Sequence, residues 1–387
     1  MKRVSIDVIV LLVAAVAAFA AEPADEGAAR PEIGPYLQFP ADPAKGSVTI
    51  VWETAAPTEG WVEYGVAPQG EKVASRTAAQ KAARHEVTLK DLHPGTGYFY
   101  RLRGEVAGSG SFVIPDAAKK SVRFAVFGDS RAYDDATLKL IARVEADRPE
   151  FLIGTGDYVN TAGEGANWKE FFDSFGALIS RVAVFPAVGN HDVGYGAGAG
   201  GYRHYFLLPE GRLYYSFNWG RCHFVALDLL PGETIEPRSE EYKWLERDLA
   251  SAAEADFIFV YFHQPMRNCG MHGTEDAEAV EASVLPLLEK FGVEASFAGH
   301  EHNYQHWVLG RHTHVVTGGF CRLILYPIDQ DLRKKGLASG ELKEALSVPH
   351  YVLVEVEDGR ATITAKDAAG KAFDKCTIES RKKTRTK

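Results

Sequence analysis

An all-β domain followed by an α/β domain built on two sheets is the fold class this sequence predicts, and three observations predict it. From Ile33 to Pro115, short apolar runs rich in β-branched and aromatic residues recur between turn residues at the spacing of a β-sandwich. From Val122 onward, runs of the same kind alternate with segments of helical periodicity. Several of these later runs end in Gly or Pro and then present a residue able to bind a metal. Sites of α/β proteins form beyond the carboxyl ends of strands, so the last pattern marks both the fold and its functional edge.

With 387 residues, 46% of them hydrophobic and 25% charged, the chain has the composition of a globular protein with room for two domains. A net charge of -9 argues against a general nucleic-acid binder, which needs a basic face, so no nucleic-acid scaffold is expected. Lys2 and Arg3, the apolar run Val8 to Ala21 and the small residues of Ala18-Phe19-Ala20 read as a signal peptide over residues 1–20. That run is shorter than the about 20 apolar residues a spanning helix needs. The expectation is a secreted or periplasmic protein with no membrane span once the signal is removed. An exported chain can oxidise Cys222, Cys269, Cys321 and Cys376; a Cys269–Cys321 bridge and free thiols both stay open.

The first domain, residues 31–116, is expected to hold strands at Val48–Trp52, Gly60–Tyr64, His85–Leu89, Tyr98–Leu102 and Gly110–Ile114. Leu92-His93-Pro94-Gly95-Thr96-Gly97-Tyr98 resembles the tyrosine corner of fibronectin type III domains, with Trp52 as the core tryptophan. His85 and His93 read as surface or corner histidines. The polar stretch Asp116–Ser121 is the linker, and the second domain covers residues 121–379. Leu138, Ile141 and Val144 give Ala136–Ala146 a helical face. Trp168–Ile179, Glu240–Leu249 and Asp276–Phe291, the last containing Pro286, read likewise. Tyr214–Phe217 with His223–Leu227 predicts a hairpin. Tyr351–Val356 and Ala361–Ala365, joined by Asp358-Gly359, predict a closing one.

The chemistry lies at the strand ends. VRFAVF runs into Gly128-Asp129-Ser130-Arg131, and FLI into Gly154-Thr155-Gly156-Asp157. Val182–Pro186 leads to Gly189-Asn190-His191-Asp192, FIFVYF to His263-Gln264-Pro265, and VEASFA to Gly299-His300-Glu301-His302. Any one of these is an ordinary turn. In series they form a constellation of carboxylate, amide and imidazole donors suited to a divalent metal.

The series resembles the calcineurin-like metallophosphoesterase superfamily, a four-layer αββα sandwich. With the β-rich domain and Gly34-Pro35-Tyr36-Leu37-Gln38 ahead of it, the chain is similar to the purple acid phosphatase-like branch. The resemblance implies two divalent metal ions, Mn, Fe or Zn. Asp157 would bridge them, Asp129 and His302 would hold the first, and Asn190, His263 and His300 the second. It implies hydrolysis of phosphate monoesters of small molecules by attack of a metal-bound hydroxide. His191 would protonate the leaving oxygen, with Asp192 orienting its ring. Beyond that family set, Arg131 either grips phosphate oxygens or pairs with Asp134 or Asp135, and His306 either matches a substrate-facing position of relatives or caps a strand end. Two departures stand out. Purple acid phosphatases place a metal-binding Tyr three residues after the bridging Asp, where this chain has Asn160, a weaker donor at the substrate pocket. Other relatives place a His two residues after the first Asp, where this chain has Arg131. A phosphodiesterase on nucleotides or lipid head groups shares the same metal core. A degenerate binding protein using the β-sandwich is the alternative outside the enzymes.

Overall fold

Two units each close a core of their own in the computed structural model, which describes residues 28–66, 75–194, 198–230 and 234–384. The expected signal peptide and part of the Gly/Ala loop at 194–201 lie outside the described residues. One unit runs to Ala117 and takes in Phe172–Ala183; the other holds Ala118–Phe171 and the chain from Val184 onward.

The first unit contains β1 (Ile33–Gln38), β2 (Val48–Val66), β3 (Ser75–Leu89), β4 (Gly97–Gly104) and β5 (Gly108–Val113). They bond into one antiparallel sheet of order β1-β2-β4-β5, with β3 also on β2. The two strands expected at Val48–Trp52 and Gly60–Tyr64 are therefore halves of β2. Its register with β3 breaks between Glu53 and Thr58, around Pro57, which has no N–H for the ladder. The strand irregularity thus replaces a reversal, and one continuous sheet replaces two separately bonded ones. Trp52 is fully buried, as a core tryptophan should be. His85 corrects the expectation of a surface position: it is buried and stacked on Trp52 with centroids 4.6 Å apart. The tyrosine corner forms, the backbone N–H of His93 donating to the Tyr98 hydroxyl at 2.9 Å.

The second unit begins with β6 (Val122–Phe127), β7 (Phe151–Gly154) and β8 (Val184–Pro186), which pair in parallel. Then come β9 (Tyr215–Trp219), β10 (Cys222–Ala226), β11 (Phe257–Phe262) and β12 (Ala295–Ala298). After them run β13 (Tyr304–Leu309), β14 (His312–Thr317) and β15 (Leu342–Leu346). The chain closes with β16 (His350–Glu357), β17 (Arg360–Asp367) and β18 (Ala372–Glu379). One sheet has the order β15-β13-β14-β12-β11-β10-β9, the other β18-β17-β16-β6-β7-β8.

Phenylalanines zip the two sheets together. Phe124 of β6 meets Phe224, Phe259 and Phe297 of the facing sheet at 5.2, 5.3 and 6.2 Å, and Phe151 of β7 meets Phe217 and Phe224 at 5.7 and 5.1 Å. Edge-to-face pairs of this kind add to the burial of large apolar rings. Leu140, Ile141 and Val144 are the buried face of helix Asp135–Ala146, which contacts β16 on one outer side. On the other, Leu245, Leu249, Val280, Val284 and Leu288 of helices Glu240–Ser251 and Glu275–Phe291 join Ile258, Val260, Phe262 and Val316 in a second core. The result is helix, sheet, sheet, helix. Pro286 stays inside its helix without ending it. β13, β15 and β18 are elements the sequence pattern did not single out.

All four cysteines are unpaired, so the Cys269–Cys321 bridge does not form. Cys269 instead donates through its backbone N–H and its thiol to the Gln305 side-chain oxygen, at 2.9 and 3.3 Å.

One polar joint ties the two sheets at their edge. Asp374 of β18 accepts from the Tyr304 hydroxyl at 2.7 Å and from His306 Nδ1 at 2.8 Å, both on β13. Burial alone would raise the Asp374 pKa, but these two bonds outweigh it and hold the carboxyl below its usual range. A depressed folded-state pKa gives stability present above the unfolded value of about 3.9 and lost as pH falls through the folded one. Asp374→Ala is therefore expected to lose roughly 1–3 kcal/mol at neutral pH. Urea unfolding across pH should show the deficit shrinking below about pH 4; a pH-independent deficit would contradict the role of the Asp374 charge.

A candidate metal and phosphate site

Each candidate ligand stands just past a strand end: Asp129 after β6, Asp157 after β7, Asn190 after β8, His263 after β11, His300 and His302 after β12. The chain must turn at once there to bring the side chain back over the sheet edge. Asp129, Asp157 and His300 do so with left-handed backbone, φ of 58°, 58° and 67°. That conformation costs an L-residue roughly 1–2 kcal/mol and persists only where the surroundings fix it. Glycines leave the room. A Cβ at Gly318 would lie 2.6 Å from Asp129 Oδ2, and one at Gly156 would lie 2.7 Å from His263 Nδ1.

Asp157, Asn190, His263 and His300 form one half of the site. His263 Nδ1 donates to the Thr155 carbonyl at 2.8 Å, which fixes the tautomer and leaves Nε2 with its lone pair. That lone pair faces Asn190 Oδ1 at 2.9 Å and Asp157 Oδ1 at 3.5 Å. Three acceptors thus converge on one point, an arrangement that repels unless a cation stands among them. The His300 ring packs edge-on to His263 at 5.1 Å. Burial, with His263 and His272 alongside, pushes the His300 pKa down to about 2, which keeps the imidazole neutral as a ligand must be. This donor set fits a divalent cation of borderline softness.

Asp129, Asp157 and His302 form the other half, all buried, with donor atoms within 4.8 Å of one another. His302 Nδ1 donates to the Ile324 carbonyl at 2.6 Å, so its Nε2 is also an acceptor, 3.2 Å from Asp129 Oδ1. Asp129 Oδ1 is buried and receives no hydrogen bond. Into this half reaches Arg131, itself buried. Its Nη2 donates to His302 Nε2 at 2.9 Å, its Nη1 to His191 Nε2 at 2.5 Å, and its Nε lies 3.5 Å from Asp157 Oδ2.

The structure redirects several expected roles. Asp192 does not touch the His191 ring. Its carboxylate accepts the backbone N–H groups of Asp157, Tyr158 and Gly189 at 2.8, 2.9 and 2.8 Å, because these are the buried donors that the two turns leave unmet. The His191 ring is oriented by the Asn160 carbonyl, 2.7 Å from its Nδ1, and its Nε2 accepts from Arg131. The Asn160 amide donates to the Arg131 carbonyl at 3.0 Å, which holds the arginine backbone and turns the side chain away from a pocket role. His306 is buried on Asp374, away from any substrate-facing position. Tyr158 and Tyr202 bury their rings and donate to the Ala187 and Pro186 carbonyls, and His204 is exposed.

Three residues escaped the sequence reading. Tyr326 stacks on His302 with centroids 3.9 Å apart. Glu301 accepts from Asn268, from the backbone of Met271 and His272, and from the His272 ring. It thereby folds the loop over the site and stacks His272 on His300 at 4.2 Å. The alternation in Gly-His-Glu-His, with the Glu opposite both imidazoles, was the available signal for Glu301. Tyr326 and Asn268 had none.

Residues 122–304 match the calcineurin-like phosphoesterase family, and residues 34–114 match the purple acid phosphatase N-terminal domain. The chain therefore carries a calcineurin-like phosphoesterase domain behind a purple acid phosphatase N-terminal domain, the make-up of a phosphoester hydrolase. It is 28% identical over 312 residues to human acid phosphatase type 7, covering 70% of this chain and 69% of that protein. It is 27% identical over 273 residues to purple acid phosphatase 21 of Arabidopsis thaliana, covering 63% and 60%. Its fold is similar to that of a purple acid phosphatase from yellow lupin seeds, at a TM-score of 0.75 and 16% identity, over 89% of this chain and 74% of that one.

Asp192→Ala would strand three buried N–H groups, at roughly 1–3 kcal/mol each. Thermal melting should show a large drop for this variant and a smaller one for Asp192→Asn, which keeps one acceptor oxygen. Wild-type melting of Asp192→Ala would refute the anchoring role.

Proposed function

We propose that the protein is an exported, metal-dependent phosphatase acting on phosphate monoesters of small molecules. The observation that carries this reading is the convergence of His263 Nε2, Asn190 Oδ1 and Asp157 Oδ1 on one point, beside a neutral His300. These residues would hold a divalent cation. When bound, such an ion supplies charge that draws in a phosphate and acidifies a water near neutral pH.

The chain's own groups supply the rest. Arg131 is permanently protonated and presents planar N–H donors, the geometry that phosphate oxygens accept best. The His191 ring, held through Nδ1 by the Asn160 carbonyl, stands against that guanidinium and sets its position. Asp157 gives Oδ1 to the metal half and also accepts the His191 backbone N–H at 2.8 Å, so metal half and phosphate half share one carboxylate. The relatives' names denote phosphatases, which favours monoesters over diesters. Residues 2–21, with their basic start and apolar run, support export.

Metal analysis of the purified protein, with hydrolysis of nitrophenyl phosphate mono- and diesters, tests the reading. Activity should vanish with chelator, return with Mn(II), Fe(II) or Zn(II), and favour the monoester. Asp157→Ala should lose bound metal and activity together. His191→Ala should keep its metal and lower kcat, because the Arg131 guanidinium loses the imidazole that sets its position. A diester preference, or full activity in Asp157→Ala, would overturn the assignment.

A further inference from the structure

Arg131 sits where an ion would be expected. His302 and His191 each give their Nδ1 proton to a backbone carbonyl, Ile324 and Asn160 respectively, so both Nε2 atoms are lone pairs seeking a positive partner. In a two-ion centre, the lone pair of His302 would be answered by metal. Here the guanidinium answers it, spanning from His302 Nε2 at 2.9 Å to His191 Nε2 at 2.5 Å, with Nε 3.5 Å from Asp157 Oδ2. The arginine is anchored at its backbone by Asn160 and is 8% exposed, so its side chain is packed in place and not sweeping solvent. Asp129 Oδ1 is left without a donor.

We propose that Arg131 takes the place of one of two cations: the site binds a single metal ion, between Asp157, Asn190, His263 and His300, and the guanidinium supplies the second positive charge. The inference rests on the metal-dependent reading above and deepens it. A guanidinium has no lone pair and cannot be deprotonated, so it cannot become a ligand or step aside by losing charge. A second divalent ion at Asp129, Asp157 and His302 would have to break the bond to His302 and then sit beside a fixed cation. One ion with one arginine also suits a phosphate monoester, since the guanidinium keeps N–H donors beyond the two spent on the imidazoles.

The experiment is metal stoichiometry on the mature full-length protein. The chain is dialysed against excess Mn(II), then measured by elemental analysis and by electron paramagnetic resonance. Wild type is expected to hold one ion per chain with the signal of an isolated Mn(II). Arg131→Ala clears the position and Arg131→His adds an imidazole to it; both are expected to hold two ions with the signal of an exchange-coupled pair. Arg131→Lys keeps the charge and is expected to stay at one. Two coupled ions in wild type would overturn the proposal and leave the phosphatase reading standing. A single ion in folded Arg131→Ala and Arg131→His, verified by circular dichroism, would overturn it too. If those two variants fail to fold, wild type and Arg131→Lys decide: one isolated ion in both supports the proposal, and a second ion in either refutes it. No ion in wild type at saturating metal would overturn the metal-dependent reading itself.

Discussion

The carboxylate of Asp192 is the constraint on which the site depends. It is fully buried and takes up three backbone N–H groups from the turns after β7 and β8. The two turns leave these three N–H groups without a backbone acceptor, because each bends back sharply over the sheet edge. Burial and the neighbouring Asp157 carboxylate push the Asp192 pKa upward, against the pull of the three N–H donors. The clamp therefore holds two carboxyl groups close together, an arrangement whose charged forms a nearby cation favours. Asp157 gains its left-handed backbone from this clamp, and its Oδ1 then accepts the His191 N–H, which closes the circuit.

Behind the clamp stands an apolar frame that gives the strand ends no freedom to drift. The phenylalanines between the sheets fix β6 and β7 against β10, β11 and β12. Interiors packed at crystal-like density transmit small displacements, so a ligand on a strand end inherits the rigidity of its strand. The glycines beside Asp129 and His263 let these side chains pass where a methyl group would collide. Strain in three candidate ligands is tolerated because packing and hydrogen bonds leave no relaxed alternative.

Charge then sorts the cluster into two unlike halves. In both halves an imidazole is locked by a backbone carbonyl with its lone pair inward. In one half that lone pair meets oxygens, and only a cation from outside completes it. In the other it meets Arg131, a cation supplied by the chain. Glu301 works from the opposite side of the same strand end, gathering the loop around His272 so that the face of His300 is covered by a stacked ring and not by bulk water.

The sequence by itself determined the class of fold and marked the strand ends at which the candidate metal ligands stand. Alternating apolar runs and helical faces specify two sheets with helices outside, and the Gly-Asp and Gly-His endings mark where strands stop. These signals are local, carried by residues adjacent in the chain, and so can be read without coordinates. Only the tertiary structure decided who meets whom. Asp192 is next to His191 in sequence, yet it serves two turns and leaves the ring to the Asn160 carbonyl, because buried N–H groups compete for a carboxylate more strongly than an imidazole that already has a partner. His306 has the spacing of a site residue, but β13 pairs between β14 and β15 and turns it onto Asp374 of the other sheet. Tyr326 and Asn268 come from loops whose approach to the site follows from chain paths that no local pattern encodes. Arg131 was legible as a cation near a carboxylate; its seat between two imidazoles was not, because it depends on tautomers set by carbonyls far away in the chain.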